Sequence, residues 1–236
     1  MSGLYDMVFT ISFKGEKKMS VMCCVYVREG IVLAADSRLM IAKSQQRNVV
    51  YTLSDNAQKV LWLKNHNTGI VFCGNALQNG MIMSDYMSIF EKKHLDPLDT
   101  PKTIANKIAN LSILKGTHFF VCGFENGLPF AYDVKYQKST RLNASGVGNS
   151  NVKYGVTWSG QKAAITKIIK GEPSLNINWD LMPLKDAIEF AEFLIHTTIQ
   201  YERFNDGLQT CGGSIDVLVL TPHKIFWDQH KIHKVK

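Results

Sequence analysis

No run of apolar residues in this 236-residue chain approaches the roughly 20 that a helix needs to span a bilayer, so no membrane helix is expected. Paired cysteines are missing as well. The five present, Cys23, Cys24, Cys73, Cys122 and Cys211, are odd in number and contain no C-x-x-C pair, which argues against a disulfide framework or a zinc site. Several sit inside apolar runs, where cysteine behaves as a small hydrophobe, as suits a reducing compartment. The 7 histidines form no ligand-spaced cluster, so neither metal nor cofactor is expected. The first 18 residues lack the basic, apolar, small order of a secretory signal, and the expected location is the cytoplasm. No internal repeat or low-complexity linker divides the chain. Basic residues exceed acidic ones by 27 to 20, but the lysines are scattered. Much of the excess lies in the tail HKIHKVK, with no basic block interleaved with aromatics, so a nucleic-acid partner is not expected.

What is present is an ordinary globular composition, 45% hydrophobic and 20% charged, at a length that suits one domain with a large core. Val21 to Arg28 and Ile31 to Ala35 read as strands joined at Glu29-Gly30. Residues 39–56 read as polar and irregular. Gln58 to Leu63 and Gly69 to Cys73 suggest a second hairpin. Helical spacing is expected from about Ala76 to Lys92, and again after Pro97, where Thr100 is the cap and Pro101 the first residue. Thr117 to Phe124 and Leu128 to Val134 form a hairpin around Glu125-Asn126-Gly127. Ser139 to Asn143 and Tyr154 to Trp158 add shorter strands. A short helix over Gln161 to Lys170 and a long amphipathic one opening at Pro183 follow. Ser214 to Thr221 and Lys224 to Gln229 close the chain as strands. Blocks of strands alternating with helix pairs argue against a doubly wound parallel sheet and for two antiparallel sheets flanked by helices, an α+β fold.

The run Ser20-Val-Met-Cys-Cys-Val-Tyr-Val-Arg-Glu-Gly-Ile-Val-Leu-Ala-Ala-Asp36-Ser37-Arg38 resembles the opening hairpin of proteasome β subunits and their bacterial HslV-type and Anbu-type relatives, the N-terminal nucleophile hydrolases. Counting back from its G-x-V-x-A-A-D-S-R portion puts Ser20 where that family has its catalytic threonine. Gln58-Lys59-Val60 resembles the strand carrying the family's active-site lysine, and Phe72-Cys73-Gly74 the strand end whose glycine serves the oxyanion hole. Ser145 to Gly155 resembles the family's glycine-serine loop, which places Asn149 at the assisting-serine position. Cys211-Gly212-Gly213-Ser214-Ile215-Asp216-Val217 resembles the approach to the penultimate strand. The resemblance covers nearly everything after Met19. It implies a four-layer αββα sandwich over residues 20–236, a peptide or unfolded-protein substrate, a homo-oligomeric ring-like assembly and a possible ATPase partner.

The chemistry asks for these residue types. A serine hydroxyl is a poor nucleophile until a base takes its proton. An α-amine in a simple peptide has a pKa of about 7.7–8.0 and is partly free base near neutrality, so a serine at the very N-terminus supplies its own base. Lys59 would stabilise the ionised hydroxyl or relay its proton. Asp36 would hold Lys59 charged or orient the amine, or simply cap backbone N–H groups at the strand end. Gly74 would offer its N–H to the tetrahedral oxyanion and let a substrate backbone add as a strand. Cys211 reads as a buried thiol, and Asp206 as a candidate for a carboxylate that the family keeps nearby. Phe72 is a candidate for the floor of a substrate side-chain pocket.

This chemistry needs the Ser20 nitrogen to be free. Lys14-Gly15-Glu16-Lys17-Lys18-Met19 admits a codon spelling with a purine-rich, ribosome-binding stretch just ahead of an ATG. The expectation is that Met19 starts the native chain and is trimmed before the small residue Ser20, making residues 1–19 an extension outside the working domain. A self-cleaved propeptide is the alternative, and retention of residues 1–19 the third. Rival functions are a catalytically silent structural subunit of the same kind, and an amidase acting on a small amide in a closed pocket.

Overall fold

The computed structural model describes residues 19–42, 50–78, 80–145 and 151–231; residues 1–18, the subject of the start-site expectation, and Asn149 lie outside them. The chain is mixed α+β. Its elements are β1 (Val21–Tyr26), β2 (Ile31–Ala35), β3 (Leu39–Ala42), β4 (Val50–Ser54), β5 (Val60–Leu63), β6 (Thr68–Gly74), β7 (Leu77–Gln78), β8 (Met81–Ile82), α1 (Met83–His94), α2 (Pro101–Ala109), β9 (Thr117–Glu125) and β10 (Leu128–Lys135). They continue with β11 (Lys138–Arg141), β12 (Ala144–Ser145), β13 (Asn151–Val152), β14 (Gly155–Gly160), α3 (Ala163–Lys170), α4 (Leu184–Phe204), β15 (Asp216–Leu220) and β16 (Ile225–Gln229).

Two five-stranded antiparallel sheets dominate, ordered β14-β1-β2-β15-β16 and β11-β10-β9-β6-β5. The central strands are apolar on both faces because each sheet is covered on both sides. Met22, Cys24, Leu33 and Leu218 of the first sheet pack against Val60, Val71, Phe120 and Cys122 of the second. Alternate residues of the first sheet, among them Cys23, Val25, Val32 and Val219, turn to Ala187, Ala191, Leu194 and Ile195 of α4. On the far side of the second sheet, Phe72, Phe119 and Val121 lie under Met87 and Phe90 of α1 and Ile104 and Ile108 of α2. The spacing i, i+4, i+7 of Met83, Met87 and Phe90, all buried, is what makes α1 a cover for that sheet. Pro101 opens α2, and the Thr100 hydroxyl accepts the Thr103 N–H at 3.4 Å, as the sequence predicts.

Two local expectations need correction. Residues 39–56 are not irregular throughout: among the described residues β3 and β4 pair only with each other. Tyr51 and Leu53 are exposed, so β4 has no buried face and carries no alternating signal. The helix expected from Ala76 begins only at Met83, because Leu77–Gln78 and Met81–Ile82 first form a tight hairpin. Among the described residues no helix is long and apolar enough to cross a membrane.

Candidate active site

Ser20 stands one residue ahead of β1, and its backbone is fixed from two sides. The Gln161 N–H donates to the Ser20 carbonyl at 2.7 Å. The β1–β14 ladder pairs Val21 with Gly160 and Met22 with Ser159. Its side chain turns toward the second sheet, where Lys59, just before β5, donates from Nζ to Ser20 Oγ at 2.8 Å. Lys59 also donates to Asp36 Oδ1 at 2.7 Å. All three residues are buried, with Ser20 6%, Asp36 1% and Lys59 2% exposed. Removing an ammonium and a carboxylate from water is costly unless their remaining capacity is satisfied. Here Asp36 also accepts the N–H groups of Val21 at 3.1 Å, Arg38 at 3.2 Å and Gly212 at 3.0 Å. Both readings of Asp36, as a cap for backbone N–H groups and as the partner of Lys59, therefore hold in the same side chain.

Arg38 extends the support. Its guanidinium forms a bidentate pair with Asp55 at 2.7 and 3.0 Å and reaches the Gln209 carbonyl at 3.3 Å. The hydrogen bond from Arg38 holds the Asp55 carboxyl below the ordinary range. Ser37 donates to the Ser214 carbonyl at 2.6 Å and receives Lys231 Nζ at 2.6 Å, while Lys231 also pairs with Asp216. The Asp36-Ser37-Arg38 run is thus tied side chain by side chain to the segment entering β15.

Gly74 ends β6 and is exposed. It lies two residues beyond Phe72, whose N–H donates to the Lys59 carbonyl at 3.1 Å, so it shares the sheet end that carries Lys59. It is glycine for a backbone reason: its φ is +109°, and a Cβ there would meet the Gly116 carbonyl at 2.4 Å. Phe72 itself is buried under α1 and α2, 5.9 Å from the Phe119 ring.

The segment against Ser20 is Ser159-Gly160-Gln161. Ser145 and residues 151–152, within the stretch expected to serve as the glycine-serine loop, belong to a separate two-stranded pairing, of Ala144–Ser145 with Asn151–Val152. The signal that finds the nearer segment is Ser-Gly directly ahead of the helical run of α3. Ser159 is buried, and its hydroxyl lies 2.6 Å from His118 Nδ1; His118 Nε2 is hydrogen-bonded to Asp133. Glu202 also escapes a reading of the sequence. Its carboxylate accepts the Thr210 N–H at 2.8 Å, the Thr210 hydroxyl at 2.8 Å and the Cys211 N–H at 2.6 Å. Asp206 is exposed and lines, with Gln161, Tyr201, Glu202 and Thr210, a cleft of about 300 Å³. Cys211 is buried; burial first, then the charges of Asp36 and Glu202, push its thiol well above the usual range. Among the described residues no cluster of His, Cys, Asp or Glu is placed to hold a metal ion.

No protein-family model matches the chain, and no curated protein matches it.

Proposed function

We propose that the chain is a peptidase of the N-terminal nucleophile class, with the four-layer αββα sandwich of proteasome-type subunits and Ser20 as nucleophile once its nitrogen is free. The freed α-amine takes the proton from Ser20 Oγ as the hydroxyl attacks a peptide carbonyl. Lys59 steadies the developing alkoxide, and Asp36 holds Lys59 in place. The C–N bond then breaks, the proton passes to the leaving amine, and water hydrolyses the acyl-enzyme. Gly74 offers its N–H to the oxyanion. The assisting role that the resemblance gave to Asn149 falls better to Ser159. The reading includes a cytoplasmic homo-oligomer acting on peptides or unfolded protein without a cofactor, with an ATPase as a possible partner.

The observation that carries the reading is Lys59 Nζ set between Ser20 Oγ and Asp36 Oδ1 at 2.8 and 2.7 Å, in a nearly dry site at the start of β1. A surface serine before a strand has no need of a buried cation. The stacking of helices, sheet, sheet and helices through three apolar clusters supports the fold assignment. The test is a chain beginning at Met19, treated with an electrophilic peptide probe such as an epoxyketone or vinyl sulfone. Ser20→Ala abolishes labelling; persistent labelling in that variant points to another nucleophile.

One observation favours the silent-subunit reading. With the Met19–Ser20 peptide bond in place, Ser20 Oγ donates to the Met19 carbonyl at 2.6 Å, so the hydroxyl is occupied by the residue that must leave. A chain that keeps Met19 would hold the fold and have no base.

A further inference from the structure

Three polar side chains from three strands cross the gap between the sheets beside Ser20. Ser159 lies near the end of β14 in the first sheet, and His118 of β9 and Asp133 of β10 belong to the second. Ser159 pairs with Met22 in the ladder, and Met22 packs into the inter-sheet cluster; paired residues share a face. Ser20 is opposite Gln161, so Ser159 is its diagonal neighbour on that face, about 7–8 Å away between Cα atoms by the usual ladder geometry. His118 packs edge-on to Phe120 at 5.1 Å, and Phe120 is the ladder partner of Asp133. The row therefore runs from the second sheet to the hydroxyl next to Ser20.

The direction of its hydrogen bonds follows from the donor inventory. A carboxylate only accepts, so His118 Nε2 carries a proton. In the neutral ring the lone pair lies on Nδ1, which then accepts from the Ser159 hydroxyl and leaves the Ser159 lone pairs as acceptors. Burial works to raise the Asp133 carboxyl, but His118 and, more weakly, Lys135 carry it below the ordinary value, so it is the acceptor. Lys135 Nζ stands 3.6 Å from the other Asp133 oxygen.

We propose that Asp133 and His118 are positioning residues for the Ser20 site, holding the Ser159 hydroxyl as an acceptor for an N–H of the freed Ser20 amine. An amine whose N–H is held by Ser159 keeps its lone pair for its own Oγ proton. With the opposite tautomer, Ser159 would turn its own proton toward the amine and occupy the base. The inference rests on the reading of Ser20 as nucleophile.

Asp133→Asn inverts the row without removing a side chain. Lys135 is a donor only, so it takes the new amide oxygen, the amide NH2 faces Nε2, and the ring proton moves to Nδ1. Ring ¹⁵N shifts of His118 in the full chain should show Nε2 protonated in the native protein and Nδ1 protonated in the variant. In chains beginning at Met19, which keep every described residue, the maximal rate of Ser20 labelling by a peptide epoxyketone should fall about 10²-fold or more, with the concentration for half-maximal rate unchanged. A native ring protonated at Nδ1, alone or together with Nε2, or Ser20 labelled at the native rate in the variant, overturns the proposal and leaves Ser20 as nucleophile. If native protein never labels at Ser20, that reading falls and this one with it.

Discussion

A Cβ placed on Gly160 would stand 1.9 Å from the carbonyl oxygen of Ser20, on a backbone with φ of +88°. The closeness lets the Gln161 N–H reach the same carbonyl and fixes where β1 begins. Gly160→Ala combines a clash with backbone strain, each of order 1–3 kcal/mol. We expect a lower unfolding temperature and loss of probe labelling at Ser20. Undiminished labelling would show that Ser20 needs no such register.

Lys59→Met separates chemistry from stability. Breaking a buried ion pair costs roughly 3–5 kcal/mol when the other charge is left alone, but Asp36 keeps three backbone N–H donors. The expected stability loss is therefore at or below the lower end of that range, while labelling falls about 10²-fold or more. Full activity in a folded Lys59→Met protein would remove Lys59 from the mechanism.

Asp55 provides the pH test. Its folded pKa is depressed by Arg38, so its stabilisation is complete above the unfolded value of about 3.9 and is lost as pH falls through the folded value. Asp55→Asn should lower the urea midpoint at pH 7, and the gap to the native protein should close as the pH drops below about 4. A gap that persists at lower pH would mean that the carboxylate charge is not what Arg38 uses.

Cys211 should be inert. Its thiol is buried and pushed well above the usual range. Cys211→Ala should label at the native rate, at a stability cost of about 1 kcal/mol for the deleted sulfur, and iodoacetamide should spare Cys211 in the folded protein. Rapid alkylation would contradict the assignment.

Much of this arrangement is legible locally. The hairpin of β1 and β2 follows from two apolar runs around Glu29-Gly30, and α2 from Thr100 and Pro101, because caps and turns are set by neighbouring residues. Ser20, Asp36 and Lys59 are singled out by the resemblance that their two short sequence runs carry, because each run is continuous in the chain. Alternation alone does not choose between Gln58 and Lys59, since both lie just before β5 begins. Ser159 carries a local mark, the Ser-Gly pair directly ahead of α3, but its meeting with His118 and Asp133 is not visible in the sequence, because the three lie on three strands and come together only through the packing of the two sheets. Glu202 sits near the end of α4 and is identified only by the turn at Thr210 and Cys211 that it holds. β3 and β4 escape detection because a strand pair exposed on β4 has no reason to alternate.

The most direct test is fragment mass spectrometry of the protein from its native host after reaction with a peptide epoxyketone. Such a probe closes a ring only where a hydroxyl and a free amine share one residue. The account predicts a main species whose N-terminus is Ser20, with the adduct joined through both its Oγ and its nitrogen. A main species that retains residues 1–19, or an adduct on any other residue, would contradict it.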